Sequence, residues 1–243
     1  AAFVERHDGR VMTGARAETI EYAGGCWRVA PHGDFAAVVV ATSPAHASRM
    51  LAQVPGLDDL RATLDGFRYE PITTCYLQYD AQVRLEQPFF ALRDDPGAGH
   101  WGQFVFDRGQ LEAGHAGLLA VVVSASGAAT ELPQEALAQA VAAQLADALA
   151  RPELAAPAWS RVVTEKRATF ACTPNLPRPA NATGLPGLVL AGDYTASDYP
   201  ATLESAVRSG RAAASAILSN DALLRENCSL SHSDGRTGTA SVQ

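Results

Sequence analysis

The sequence is short of most features that would announce a function outright. Cysteine is scarce, four in 243 residues, and Cys26, Cys75, Cys172 and Cys228 stand far apart. That spacing offers no CxxC pair and no metal-ligand set, and it reads as reduced thiols in a cytoplasmic protein. Long apolar runs are missing too. The longest, such as GLLAVVV at 117–123, fall well short of a bilayer span. The opening residues AAFVERHDGR lack the charged-then-apolar pattern of an export signal, so the triplets Asn181-Ala-Thr183 and Asn227-Cys-Ser229 read as chance rather than glycan acceptors. Clustered basic charge is absent. The formal net charge is −7 and the basic residues are scattered, which excludes the footprint of a nucleic-acid binder. The six histidines are dispersed, and HExxH, P-loop and nucleophile-elbow patterns do not occur, so neither a metal centre nor a catalytic triad is expected.

What is present is an ordinary globular composition, 47% hydrophobic and 19% charged. RVMTGARAETIEY and CWRVA flank Gly24-Gly25 as a hairpin, and FAAVVVAT is a β-branched run of the kind buried in a parallel sheet. HASRMLAQ predicts a short helix. From about residue 56 the texture changes. FRYEPITTCYLQYD, WGQFVFDRG, GLLAVVVSAS and WSRVVTEKRATF predict strands, and 133–150 predicts a helix with Leu137, Val141, Leu145 and Leu149 along one stripe. A Pro-rich connection, TPNLPRPANATGLPG, then leads to GLVLAGD and a small-residue helix. The expected organisation is 1–55 as part of a nucleotide-cofactor domain, 56–170 as a mixed sheet-and-helix insertion, 171–220 as the return to the first domain, and 221–243 as a tail without periodicity.

One motif invites a wrong turn. Gly97-Ala98-Gly99-His100-Trp101-Gly102 spells GxGxxG, but RDDP precedes it and the strand-like QFVFD follows. The phosphate-binding motif needs a strand before and a helix after, so this one reads as a surface turn. The adjoining Asp94-Asp95, like Asp58-Asp59, reads as solvated loop carboxylates.

The segment LVLAGDYTASDYPATLESAVRSGRAAA is more informative. A buried strand ending at Gly192-Asp193 places a carboxylate at the C-terminal edge of a sheet, where open α/β folds bind ligands. Gly192 permits close approach of a ligand to the backbone, and Asp193 can accept hydrogen bonds from sugar or ribityl hydroxyls. A helix from about Pro200 presents its positive end, and Ala201 and Thr202 are small enough to admit a flat ring. Leu203, Ala206, Val207, Gly210, Ala214 and Ile217 are the expected packing face. A turn role for Asp193 with Pro200 as a plain helix starter explains the same residues equally well.

LAGDYTASDYPATLESAVRSGRAAA resembles the C-terminal FAD signature of the flavin amine oxidase and phytoene desaturase superfamily, and within it that of the bacterial hydroxysqualene dehydroxylases. DGRVMTGARAETI, VVVATSP, YEPITTCYLQYD, GQFVFDRG and EKRATFACTP extend the resemblance, in order, across residues 5–218. It implies an α/β fold, a partial FAD/NAD(P)-binding Rossmann-like domain carrying an inserted α+β substrate domain, with FAD as cofactor and no metal. It also implies roles for single residues. Ala17 would face the adenine, Ala41 and Thr42 would line the nucleotide side, and Gly192-Asp193 would meet the ribityl–pyrophosphate region. Pro200, Ala201, Thr202 and Leu203 would lie at the isoalloxazine, while ITTCYLQY and EKRATF would wall a tunnel for an apolar isoprenoid. Tyr194 stands where Trp is usual. The implied reaction is reductive dehydroxylation of hydroxysqualene to squalene in hopanoid synthesis, in the cytoplasm and with peripheral membrane association. A carotenoid or phytoene desaturase, an amine oxidase, or a catalytically inactive truncated chain are the alternatives. The N-terminal strand–GxGxxG–helix of the superfamily has no counterpart here, so the missing N-terminal FAD-binding segment is the expected partner, and no catalytic acid or base can be assigned.

Overall fold

The computed structural model describes residues 4, 6–219, 240 and 241. Two compact units result, one from 1–67 together with 172–243 and the other from 68–171. The division thus falls at 67/68 and 171/172, where the sequence reading places it at 55/56 and 170/171.

The first unit opens with β1 (Arg10–Val11), which pairs in parallel with β12 (Ala240–Ser241). The rest of the expected tail, 221–239 and 242–243, lies outside the described residues. Next, β2 (Thr19–Ala23), β3 (Cys26–Ala30) and β4 (Gly33–Phe35) form an antiparallel sheet. Its first hairpin turns on Gly24 and Gly25, both at positive φ (61° and 83°), the conformation that two-residue turns demand and only glycine adopts freely. Cys26 is disulfide-bonded, which corrects the expectation of four reduced thiols.

A second, smaller sheet carries the unit's centre. The strand β5 (Val38–Val40) pairs in parallel with β11 (Leu188–Leu190), register Leu188↔Val38 to Leu190↔Val40. Between them in sequence come α1 (Pro44–Met50) and α2 (Asp58–Asp65). Asp58 and Asp59 therefore occupy the first turn of a helix, where negative charge complements the dipole, rather than a loop. The last helix, α5 (Leu203–Leu218), packs against Val189 and Ala191 through Ala213, Ala216 and Ile217.

The second unit is a five-stranded antiparallel sheet in the order β10-β6-β9-β8-β7, from β6 (Tyr69–Gln78), β7 (Phe89–Ala91), β8 (Phe104–Asp107), β9 (Leu118–Val123) and β10 (Trp159–Phe170). A short α3 (Arg108–Leu111) follows β8. One sheet face, with Cys75, Leu77, Val105, Leu119, Val121 and Val123, packs on Leu137, Val141 and Leu145 of α4 (Gln134–Ala148). Strict alternation puts Ile72, Thr74, Tyr76, Phe104, Phe106 and Val122 on the other face.

The GxGxxG decoy is the β7–β8 connection. Asp95 caps a 3₁₀ turn at Pro96–Ala98, and Gly99 closes it at φ 81°. At Gly102 a Cβ would crowd Val121 and Gln144. Buried Gln144 accepts from the Gly102 N–H (2.7 Å) and donates to the Arg93 and Gly102 carbonyls (2.9 Å each). Gln144→Leu leaves these backbone groups without partners and should lower stability by roughly 2–4 kcal/mol, read as a shift of the urea midpoint.

Candidate functional site

Parallel pairing sets the chain ends of β5 and β11 side by side. Ala41 and Thr42 follow β5, Ala191, Gly192 and Asp193 follow β11, and the Ala191 N–H donates to the Val40 carbonyl at 3.0 Å. Four expected site residues, Ala41, Thr42, Gly192 and Asp193, therefore share the C-terminal edge of one parallel pair, the position at which open α/β sheets take ligands. Ala17 is placed elsewhere. It lies in the connection to β2, where its neighbour Glu18 donates to the Ala30 carbonyl, beside the three-stranded sheet.

The helix start also differs from expectation. α5 begins at Leu203 rather than Pro200, and Thr202 is its N-cap, accepting from the Ser205 N–H at 3.2 Å. A threonine hydroxyl can satisfy a free helical N–H and a proline cannot, so the cap sits two residues later. Pro200 and Ala201 are thus the last residues of the loop that leads into the helix. N–H groups of the first turn have no acceptor within the helix itself and face outward along its axis.

The packing face of α5 corrects a second expectation. Of the expected face Ile217 does pack towards β11, but the buried residues are Ser205, Ser209 and Ala213, whereas Leu203 is 87% and Val207 59% exposed. The reason is hydrogen bonding. The Ser209 hydroxyl takes the Gly192 N–H (3.0 Å), the Asn181 amide (2.8 Å) and a bond with the Thr195 hydroxyl (2.7 Å), while Ser205 donates to the Asp193 carbonyl (3.2 Å). A strand end packed against a helix needs its backbone groups satisfied, and two serines do this where Leu and Val could not. The apolar stripe Leu203, Val207 and Gly210 is turned away from that contact.

Gly192 has a local cause of its own. A Cβ there would run into the Tyr194 ring, with Cδ1 only 2.7 Å away, and Tyr194 is itself 1% exposed and edge-on to Phe67 at 6.0 Å. The sequence reading assigned this glycine to close approach of a ligand; the structure shows close approach of its own tyrosine.

Asp193 is half-buried. Burial pushes its carboxyl above the usual carboxylate range, against the opposing pull of its own and the Tyr194 backbone N–H groups and of the Arg178 charge. A carboxylate stripped of part of its water is a strong acceptor for hydroxyls.

Sequence reasoning missed Arg178 and Asn181. The guanidinium of Arg178 reaches the carbonyls of Asp193, Tyr194, Ser197 and Tyr199 and the Ser205 hydroxyl. Asn181, read as part of a chance triplet, ties the Leu190 carbonyl (2.8 Å) to Ser209. A long cation in a Pro-rich connection was the one available signal.

Amino-acid comparison supplies the family. The pattern of the flavin containing amine oxidoreductases matches residues 1–218. This chain belongs to that family. FAD is the cofactor, and the half-buried acceptor beside outward-facing helix N–H groups fits such a ligand. Hydroxysqualene dehydroxylase of Sinorhizobium fredii is 52% identical over 65 residues, 26% of this chain and 15% of that protein. The Rhodopseudomonas palustris hydroxysqualene dehydroxylase is 39% identical over 102 residues, 41% of this chain and 24% of that protein. Zeta-carotene desaturase of Synechocystis is 39% identical over 69 residues, 28% and 14% respectively. Each match spans a quarter or less of the relative's length. Among solved structures, cyclohexylamine oxidase of Brevibacterium oxydans aligns at TM-score 0.57 and 16% identity, over 85% of this chain and 48% of that one. Putrescine oxidase bound to putrescine aligns at 0.55 and 17%, over 83% and 48%. These share the fold. Among the described residues no helix is long and apolar enough to cross a membrane.

The Asp193 shift has a pH consequence. Its folded pKa lies above the unfolded one, so the ionised carboxylate disfavours the folded state at neutral pH, and the penalty fades as pH falls through the folded value. Asp193→Asn should therefore raise the Tm of this chain at neutral pH, and the gain should shrink as pH falls towards about 4. Melting curves across that range check both the sign and the trend.

Proposed function

We propose that this chain forms the flavin end of the FAD site and an apolar substrate surface in an oxidoreductase that converts hydroxysqualene to squalene. The observation that carries the proposal is the edge shared by Ala41, Thr42 and Asp193, in a chain matching two hydroxysqualene dehydroxylases at 39–52% identity. In this reading Asp193 accepts from ribityl hydroxyls, Ala41-Thr42 line the nucleotide side and Ala17 meets the adenine. Pro200, Ala201, Thr202 and Leu203 offer the small, N–H-rich approach to the isoalloxazine. The net change replaces C–OH by C–H, takes up two electrons and two protons and releases water, with the flavin as electron source.

The second unit suits a long hydrocarbon. Its sheet face opposite α4 carries Ile72, Tyr76, Val122 and the packed rings of Phe89, Phe104 and Phe106, with centroids 4.9–5.7 Å apart. Of the residues expected to wall the tunnel, Ile72, Thr74 and Tyr76 lie on this face and Glu165 joins them opposite Ile72, as does Arg161 opposite Tyr76, while Lys166 and Arg167 are exposed and charged. In this reading the protein's share is binding, orientation and exclusion of water. A substrate of this kind would also bring the protein to membrane surfaces.

A complete site takes one more piece. The only GxGxxG of the sequence falls on a 3₁₀ turn and the surface connection after it, and among the described residues the β5–β11 pair is two strands wide with Val39 45% exposed. Parallel strands are normally covered on both faces and flanked by neighbours. A dinucleotide-binding segment carrying the pyrophosphate loop is the partner we infer for this edge.

The zeta-carotene desaturase match supports a second reading, desaturation of a polyene. Purified alone, this chain should retain little FAD; joined to a dinucleotide-binding segment of a relative it should hold about one flavin per chain, and Asp193→Ala should weaken that binding about tenfold. Supplied with reduced flavin and hydroxysqualene, the assembled enzyme should form squalene, detected by mass spectrometry. Conversion of phytoene, zeta-carotene or an amine in its place would overturn the substrate assignment, and stoichiometric flavin on the chain alone would overturn the need for a partner segment.

A further inference from the structure

Among the described residues of the first unit, Arg178 makes the most side-chain hydrogen bonds. A guanidinium has five N–H donors in a rigid fork. Here Nε donates to the Tyr194 carbonyl (3.4 Å), Nη1 to the Ser197 (3.1 Å) and Tyr199 (2.6 Å) carbonyls, and Nη2 to the Asp193 carbonyl (2.5 Å) and Ser205 hydroxyl (3.3 Å). All five directions are used. Four of the acceptors are main-chain carbonyls within 193–199, the loop that carries Asp193 to the start of α5.

That convergence constrains the loop in a particular sense. In a trans peptide the carbonyl and the following N–H point in opposite directions. Drawing the carbonyls of Asp193, Tyr194 and Ser197 onto one cation therefore turns the N–H groups of Tyr194, Thr195 and Asp198 away from it. In the loop sequence DYTASDY only Tyr194 and Thr195 are buried while Ala196, Asp198 and Tyr199 are exposed, and ordering such a segment when a ligand arrives would cost conformational entropy. Arg178 supplies the order beforehand.

We propose that Arg178 is a positioning residue for FAD: by gathering the carbonyls of 193–199 it holds Asp193 and the entry to α5 in the arrangement that accepts the cofactor. This rests on reading the Asp193 edge as part of the FAD site. A lysine cannot replace it, because three donors on one ammonium cannot span four carbonyls and a hydroxyl.

The test uses this chain joined to a dinucleotide-binding segment, as parent, Arg178→Lys and Arg178→Ala, with FAD titrated by flavin fluorescence. Both variants should bind FAD about tenfold or more weakly. Millimolar guanidinium should restore most of the affinity of Arg178→Ala and none of that of Arg178→Lys, whose side chain fills the space. Hydrogen exchange over 193–199 without FAD should be faster in Arg178→Lys than in the parent. Parent-like FAD affinity in Arg178→Lys, or no rescue of folded Arg178→Ala, overturns the proposal. Should Arg178→Ala fail to fold, the Lys variant alone decides it. A parent that binds no FAD sinks the functional reading instead, and the exchange comparison then decides whether Arg178 orders the loop.

Discussion

Three residue pairs, Leu188–Val38, Val189–Val39 and Leu190–Val40, hold together what the rest of the first unit depends on. They join segments separated by the whole second unit, so every useful property of the edge, from the adjacency of Thr42 and Asp193 to the docking of α5, exists only while that short parallel ladder is in register. Closing so long a loop is entropically less severe than intuition suggests, because the cost grows only with the logarithm of its length. The second unit lowers it further. Its first and last strands pair with each other, Tyr69 opposite Phe170, and the Ala171 N–H donates to the Arg68 carbonyl at 2.9 Å. The excursion thus ends where it began.

Around the ladder, polar groups decide the geometry. Apolar packing between α5 and β11 is modest, amounting to Val189, Ala191 and Ala213 with Ala216 and Ile217 beside them. Ser205, Ser209, Thr195, Asn181 and Arg178 bind the strand end, loop and helix into one network of satisfied donors and acceptors. Such networks fix a unique arrangement when complete and are costly when broken.

Local regularity was legible in the sequence. Gly24-Gly25 announces its hairpin, the four-residue spacing of Leu137, Val141 and Leu145 announces α4, and WSRVVTEKRATF is a strand over its full length. The GxGxxG at 97–102 could be set aside because its flanks were wrong. The buried face of α5 was misread for a physical reason. Periodicity marks where Leu203 and Val207 lie, but not whether that stripe meets the unit's own core, and the hydroxyls that do meet it look like surface residues in a sequence. Arg178 was invisible for a related reason, since its partners are main-chain carbonyls, which no side-chain pattern encodes. Asp193 could be placed at an edge by its position after a buried strand, but its half-burial is set by the folded loop, which no sequence pattern encodes.

The meeting of Tyr69 with Phe170 bears on how such proteins diversify. A unit whose entry and exit lie opposite each other on paired strands is a cassette: it can be lengthened, resurfaced or exchanged between relatives through one narrow junction, leaving the β5–β11 ladder unaltered. Chimeras cut at that junction would exchange the five-stranded sheet and α4 as a single transferable part.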